Sequence, residues 1–217
     1  MKLIKLCLSI VMLSNINGIY GADTKTEDTQ FCELKEKYQN LKFYHSDLIS
    51  TIFITDDLQV VLTGKILLQH PNNWNIQIFS SKSGQLILYN CSDGVNTWVY
   101  DSKNNYILKS KSPSKIDELN INFFPSFDDY DKNTLLRKMV NGSEAEYTLS
   151  FKNKGSTFSK TNFLIDLESS LLKSMTFYDD HRKKMHIEFK NIRMNQKLSP
   201  NDFSFQNNHH LDVKVID

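Results

Sequence analysis

Hydrophobicity with a period of two is what most restricts this chain. Residues 58–70 read Leu-Gln-Val-Val-Leu-Thr-Gly-Lys-Ile-Leu-Leu-Gln-His, so that Leu58, Val60, Leu62, Ile66 and Leu68 fall on one side of an extended strand while Gln59, Thr63, Lys65 and Gln69 mark the other. Such a strand belongs to a sheet with one dry side. Turn-forming clusters recur at short intervals, as Asp56-Asp57, Pro71-Asn72-Asn73, Ser80 through Gly84, Ser92-Asp93-Gly94 and Asp101 through Asn105. Between them the pattern predicts strands at residues 43–55, 58–69, 74–79, 85–91, 96–100 and 106–110, an antiparallel meander. Four more follow at residues 144–153, 161–167, 171–179 and 184–193, and the tail through Val213-Lys214-Val215 offers another.

Helix enters only at the margins. Thr24-Lys25-Thr26-Glu27 makes a capping box, and Phe31, Leu34, Tyr38 and Leu41 recur at spacings of three and four, the apolar face of a helix over residues 28–42. This helix must dock on something. Residues 111–141 interrupt the strands with Pro113, Phe123-Phe124-Pro125 and a predicted helical stretch near residues 133–140. A mainly β chain of roughly ten or eleven strands and two or three helices carries too much twisted sheet to lie flat, and the sheet must curl or close. A filled sandwich and a curved sheet around a hollow remain equally compatible with this pattern.

Charge and targeting narrow the function classes. The 217 residues carry 26 Lys+Arg against 25 Asp+Glu, leaving no basic field to hold a phosphate backbone, and no glycine-rich phosphate loop is present. Nucleic acid is excluded as the expected partner. Residues 1–22 open with Lys2 and Lys5, run through an apolar stretch containing Cys7, and end in Gly21-Ala22, the pattern of a cleaved secretory signal peptide. Residues 23–217 are then expected to form one exported domain. It retains Cys32 and Cys91, which in an oxidising compartment either close one bridge or stay as two buried thiols.

One stretch carries a family likeness. Gly64-Lys65-Ile66-Leu67-Leu68-Gln69-His70-Pro71-Asn72-Asn73-Trp74-Asn75-Ile76, then Ser92-Asp93-Gly94-Val95-Asn96-Thr97-Trp98-Val99-Tyr100-Asp101, resembles the periplasmic outer-membrane lipoprotein carriers, the LolA-like proteins. The early amphipathic helix and the ending, Leu198-Ser199-Pro200-Asn201-Asp202-Phe203-Ser204-Phe205 through Val213-Lys214-Val215-Ile216-Asp217, fit the same plan. The resemblance implies a curved antiparallel sheet forming an incomplete, half-open β-barrel with a helical lid. It also implies a monomer that takes lipoprotein acyl chains from an inner-membrane donor complex and passes them to an outer-membrane acceptor. Where that family has Arg before the Pro, this chain has His70, a titratable imidazole in the place of a gate between sheet and lid.

The residues of this chain suit such a task. Val60, Leu62, Ile66, Leu68, Trp74, Ile76, Ile78, Trp98 and Tyr100 share even numbers along their strands and are expected to line one apolar, lipid-binding face. No cofactor, metal or catalytic group is expected. Asp179-Asp180-His181 and the following Arg182-Lys183-Lys184 read as a solvated turn and strand end, His209-His210 as a polar loop, and Asn90-Cys91-Ser92 and Asn141-Gly142-Ser143 as turn chemistry. The expected function is therefore a non-enzymatic periplasmic carrier. The alternative is an envelope sensor on the same scaffold that detects lipoproteins and signals through a protein partner.

Overall fold

The computed structural model describes residues 29–55, 57–70, 72–111, 134–151, 158–179, 182–207 and 210–216. The expected signal peptide and capping box, within residues 1–28, and the interruption at 112–133 lie outside these residues, as do His181 and His209. The described residues fall into two compact units, one within residues 1–40 and 119–186 and the other within residues 41–118 and 187–217.

In the first unit, helix α1 (Thr29–Gln39) accompanies strands β7 (Thr134–Asn141), β8 (Glu144–Phe151), β9 (Lys160–Asp166) and β10 (Leu171–Asp179), with the start of β11 (Arg182–Met194) beside β10. Antiparallel register puts Ala145 opposite Ile165, Ile165 opposite Leu172 and Tyr147 opposite Phe163, giving one apolar face of which all five residues are buried. The helix docks there as its periodicity required. Phe31 packs on Tyr147 with ring centroids 5.2 Å apart, and the Tyr38 hydroxyl accepts the Leu172 N–H at 3.0 Å. Burial holds the Tyr38 phenol well above its usual range, with the Leu172 amide working against that.

The helix expected near residues 133–140 is instead strand β7. Leu135, Leu136, Arg137, Lys138 and Met139 favour helix locally, but Gly142, with φ of 60°, opens a two-residue turn that folds β7 back on β8, pairing Asn141 with Glu144. Pairing outweighs propensity here.

The second unit contains strands β1 (Phe43–Phe53), β2 (Gln59–Gln69), β3 (Asn73–Ser80), β4 (Leu86–Asp93), β5 (Thr97–Asp101), β6 (Tyr106–Ser110) and β12 (Asp212–Ile216). Its strand order is β12-β6-β5-β4-β3-β2-β1-β11, and among the described residues the hydrogen-bonded order runs through twelve strands, from β12 to β7. The meander of β1 to β6 is antiparallel as expected, but β12 joins β6 in parallel, with Asp212 opposite Tyr106. A parallel neighbour needs a long crossover. The chain after β11 supplies it, leaving β11 at one edge of this unit and delivering β12 to the other.

Candidate functional site

Register in the second unit separates two faces. Ser46, Ile66, Ile76 and Asn90 form one cross-strand row, and Tyr44, Leu68, Trp74 and Ser92 form the next. A third places Leu48 and Ile78 on either side of Gly64, and a fourth pairs Ser50 with Leu62. Residues directly opposite share a face. Tyr44, Leu48, Leu62, Ile66, Trp74, Ile76 and Ile78 are all buried there, Leu68 is half-buried and Val60 is exposed. The Trp74 indole N–H donates to Asn90 Oδ1 at 2.9 Å, which satisfies its single donor within the sheet.

Trp98 and Tyr100 do not belong to this face. Asn90 pairs with Val99 and Cys91 with Trp98, so the register across the β4–β5 turn sets even numbers against odd and sends both aromatics to the opposite side. The cause is local. Asp93 Oδ1 accepts the N–H groups of Val95 and Asn96 at 2.9 and 2.7 Å, and Gly94 takes φ of 86°, fixing a turn whose length reverses the parity. Burial alone would raise the Asp93 carboxyl, but these amides and the Asn96 side chain hold it below the usual range.

On that second side the chain supplies its own cover. Trp98 and Tyr100 cluster with Leu86, Tyr89, Cys91 and Ile107, and Phe79, Phe205 and Leu211 pack against them. The crossover meets the strands in spatial order. Asn195 N–H donates to Phe43 O on β1, the Asp202 carbonyl accepts from Asn75 on β3, and the Phe203 carbonyl accepts from the Cys91 thiol on β4 at 2.9 Å. The Phe205 ring then stacks on Trp98 and meets Tyr89 edge-on, with centroids 5.9 and 5.6 Å away. A 3-10 turn, Pro200–Phe203, closed by a capping box between Ser199 and Asp202, shapes the crossing. Cys91 is a buried free thiol, and the side chain of Cys32, its expected partner, lies outside the described residues. Burial pushes the Cys91 thiol up to about 12.

The polar candidates occupy other places. His70 is exposed in the turn after β2, with its N–H donating to Lys42 O at 3.0 Å. His45, on the Trp98 side of β1, lies 3.8 Å from Asp47, and burial followed by the nearby Arg193 charge pushes its imidazole down. Asp179 pairs with Lys184 at 3.8 Å across the β10–β11 turn. Among the described residues no cluster of three His, Cys, Asp or Glu side chains could hold a metal ion.

Tyr44 and Leu48 went unnoticed in the sequence, although they extend the Ile66 face onto β1. Their strand alternates Tyr44, Ser46, Leu48, Ser50, so hydroxyls interrupt the apolar signal, and only the register with Leu68 and Gly64 places them.

An uncharacterized conserved protein from Thermus thermophilus shares the fold, with a TM-score of 0.54 at 10% identity over 87% of this chain and 100% of that one. A LolA superfamily protein from Nitrosomonas europaea aligns with a TM-score of 0.38 at 10% identity, over 82% of this chain and 96% of that one. A chain of the MucA/MucB complex from Pseudomonas aeruginosa aligns with a TM-score of 0.44 at 6% identity, over 82% and 60%. Of these three, the Thermus protein bears on the fold. No curated protein matches the chain. The family model for the outer membrane lipoprotein carrier protein LolA matches residues 55–206, well over half of the 217, and the chain belongs to that family.

Proposed function

We propose that this chain is a periplasmic carrier that holds the acyl chains of lipoproteins, or of another lipid, against the Ile66 face of its second unit and passes them toward the outer membrane. The observation that carries this reading is the contiguous apolar wall of Leu48, Leu62, Ile66, Trp74, Ile76 and Ile78 across β1 to β3, in a member of a family described as a lipoprotein carrier. Trp98 and Tyr100 are left out of the wall and anchor the crossover instead.

Carrying needs no reaction. Each methylene taken from water contributes about 0.8 kcal/mol, so one long acyl chain represents on the order of 10 kcal/mol of apolar transfer. Ile66, Trp74 and Ile76 have no exposed surface, so a bound acyl chain must replace whatever covers them, and the protein requires an open and a closed state. A helical lid over this wall and a sheet curled into a half-open barrel belong to the same proposal, as does export directed by residues 1–22.

The test is to purify the protein from cells without detergent and examine it by native mass spectrometry for co-purified acyl chains, then to titrate it with a fluorescent fatty acid. Bound lipid or saturable uptake is expected, with uptake reduced in Leu68→Glu while the β circular-dichroism signal persists. A consistently empty protein that takes up no probe refutes the reading.

A further inference from the structure

The apolar wall has one open end. Along β2, exposure on this face climbs from 0% at Ile66 to 8% at Leu62 and 38% at Val60, and reaches 53% at Leu58 just before the strand. Both neighbouring strands rise toward the same end. On β3, Ile76 is fully buried and Ile78, beside Gly64, is not quite; on β1, Leu48 is buried and Ile52, the partner of Val60, is half-buried. A lone exposed apolar residue means nothing. A graded series on three adjacent strands, continuous with the interior, marks where the cover stops.

The topology explains why it stops there. The β2–β3 ladder ends at the Leu62–Ser80 pair, after which Ser81 donates its N–H and hydroxyl to Val61 O, while β1 and β2 stay paired out to Phe53 and Gln59. The hairpin therefore projects beyond β3. At the other end of the wall, Leu68 is half-buried but sits between buried Tyr44 and Trp74, and its row finishes on buried Ser92 and Thr97. That end is closed and hydroxylic, and it is the end where His70 lies.

We propose that Leu58 and Val60 form the mouth through which a single acyl chain enters, tail first, and that His70 is no gate. The proposal rests on the lipid-carrying reading above and deepens it. Side chains two residues apart on one strand face make a straight track. From Leu58 to Ile66 it runs about 26 Å, longer than the ~15 Å depth of one bilayer leaflet, so a full acyl chain fits along it.

Stopped-flow uptake of cis-parinaric acid, a fluorescent fatty acid, tests this with the full chain and the variants Val60→Lys, Val60→Glu and His70→Glu. Val60 and His70 are both exposed, and Leu58→Lys, at another exposed position, repeats the test outside the strand should a Val60 variant fold poorly. A charge of either sign at the mouth must be displaced or dehydrated as hydrocarbon passes, so both Val60 variants are expected to load about tenfold more slowly than wild type to the same final amount. His70→Glu is expected to load at the wild-type rate. Slowing by Glu but not by Lys indicates repulsion of the fatty-acid carboxylate and overturns the mouth, as does equal slowing by His70→Glu or no slowing at Val60. Uptake by wild type with unaltered Val60 variants removes the mouth alone; no uptake by wild type removes the carrier reading and the mouth together.

Discussion

Gly64 offers the sharpest test of the wall, because two ordinary expectations for it have opposite signs. Glycine inside a strand costs about 0.5–1 kcal/mol relative to alanine, chiefly through the entropy of the unfolded chain, so Gly64→Ala is expected on propensity to stabilise. The tertiary structure reverses this. A Cβ built on Gly64 would stand 2.3 Å from the Gln77 carbonyl oxygen and 3.3 Å from Ile78 Cα, both backbone atoms of β3. Contact at ordinary radii requires β3 to retreat by about 1 Å along a ladder that also holds Ile66 against Ile76, and strain of this kind costs about 1–3 kcal/mol. The net expectation is a loss of roughly 1–2 kcal/mol. Both tryptophans of the chain, Trp74 and Trp98, lie in the second unit, so urea unfolding followed by tryptophan fluorescence reports on that unit. With a slope of about 1–3 kcal/mol per molar, the midpoint should fall by roughly 0.5–1 M. A variant with an equal or higher midpoint would show that β3 yields without cost, and the tight β2–β3 seam beneath the wall would have to be abandoned.

Two further outcomes follow from single contacts. Tyr38→Phe removes the acceptor of the Leu172 N–H, a buried amide, and should cost about 1–3 kcal/mol in the first unit; amide exchange at Leu172 should quicken, and unchanged protection would mean that helix and sheet are not held by this bond. Cys91, with no exposed surface and its thiol pushed up to about 12, should resist alkylation at neutral pH until the protein unfolds. Peptide mapping by mass spectrometry reads this directly, and prompt labelling of folded protein at Cys91 would contradict the seal formed by Phe203 and Phe205.

Much of the architecture was legible in residue order because alternation reports local geometry. Leu58, Val60, Leu62, Ile66 and Leu68 needed only the period of an extended strand to be put on one face, and Phe31, Leu34 and Tyr38 only that of a helix. The resemblance at residues 64–110 pointed to the family that the match over residues 55–206 establishes. Misreadings arose where pairing with another strand decides. Residues 134–141 favour helix by composition but became a strand once Gly142 turned them onto β8.

What residue order settled alone is the kind of surface each strand carries, since side chains alternate whatever the strand's neighbours are. Which surfaces join was decided only in three dimensions. Face parity passes from strand to strand through the length of each turn, and the turn after Asp93 inverted it, moving Trp98 and Tyr100 from the wall with Ile66 to the side held by Phe205. The close seam at Gly64 and the graded exposure from Ile66 out to Leu58 likewise depend on where β3 ends beside β2, a property of pairing that no single segment contains.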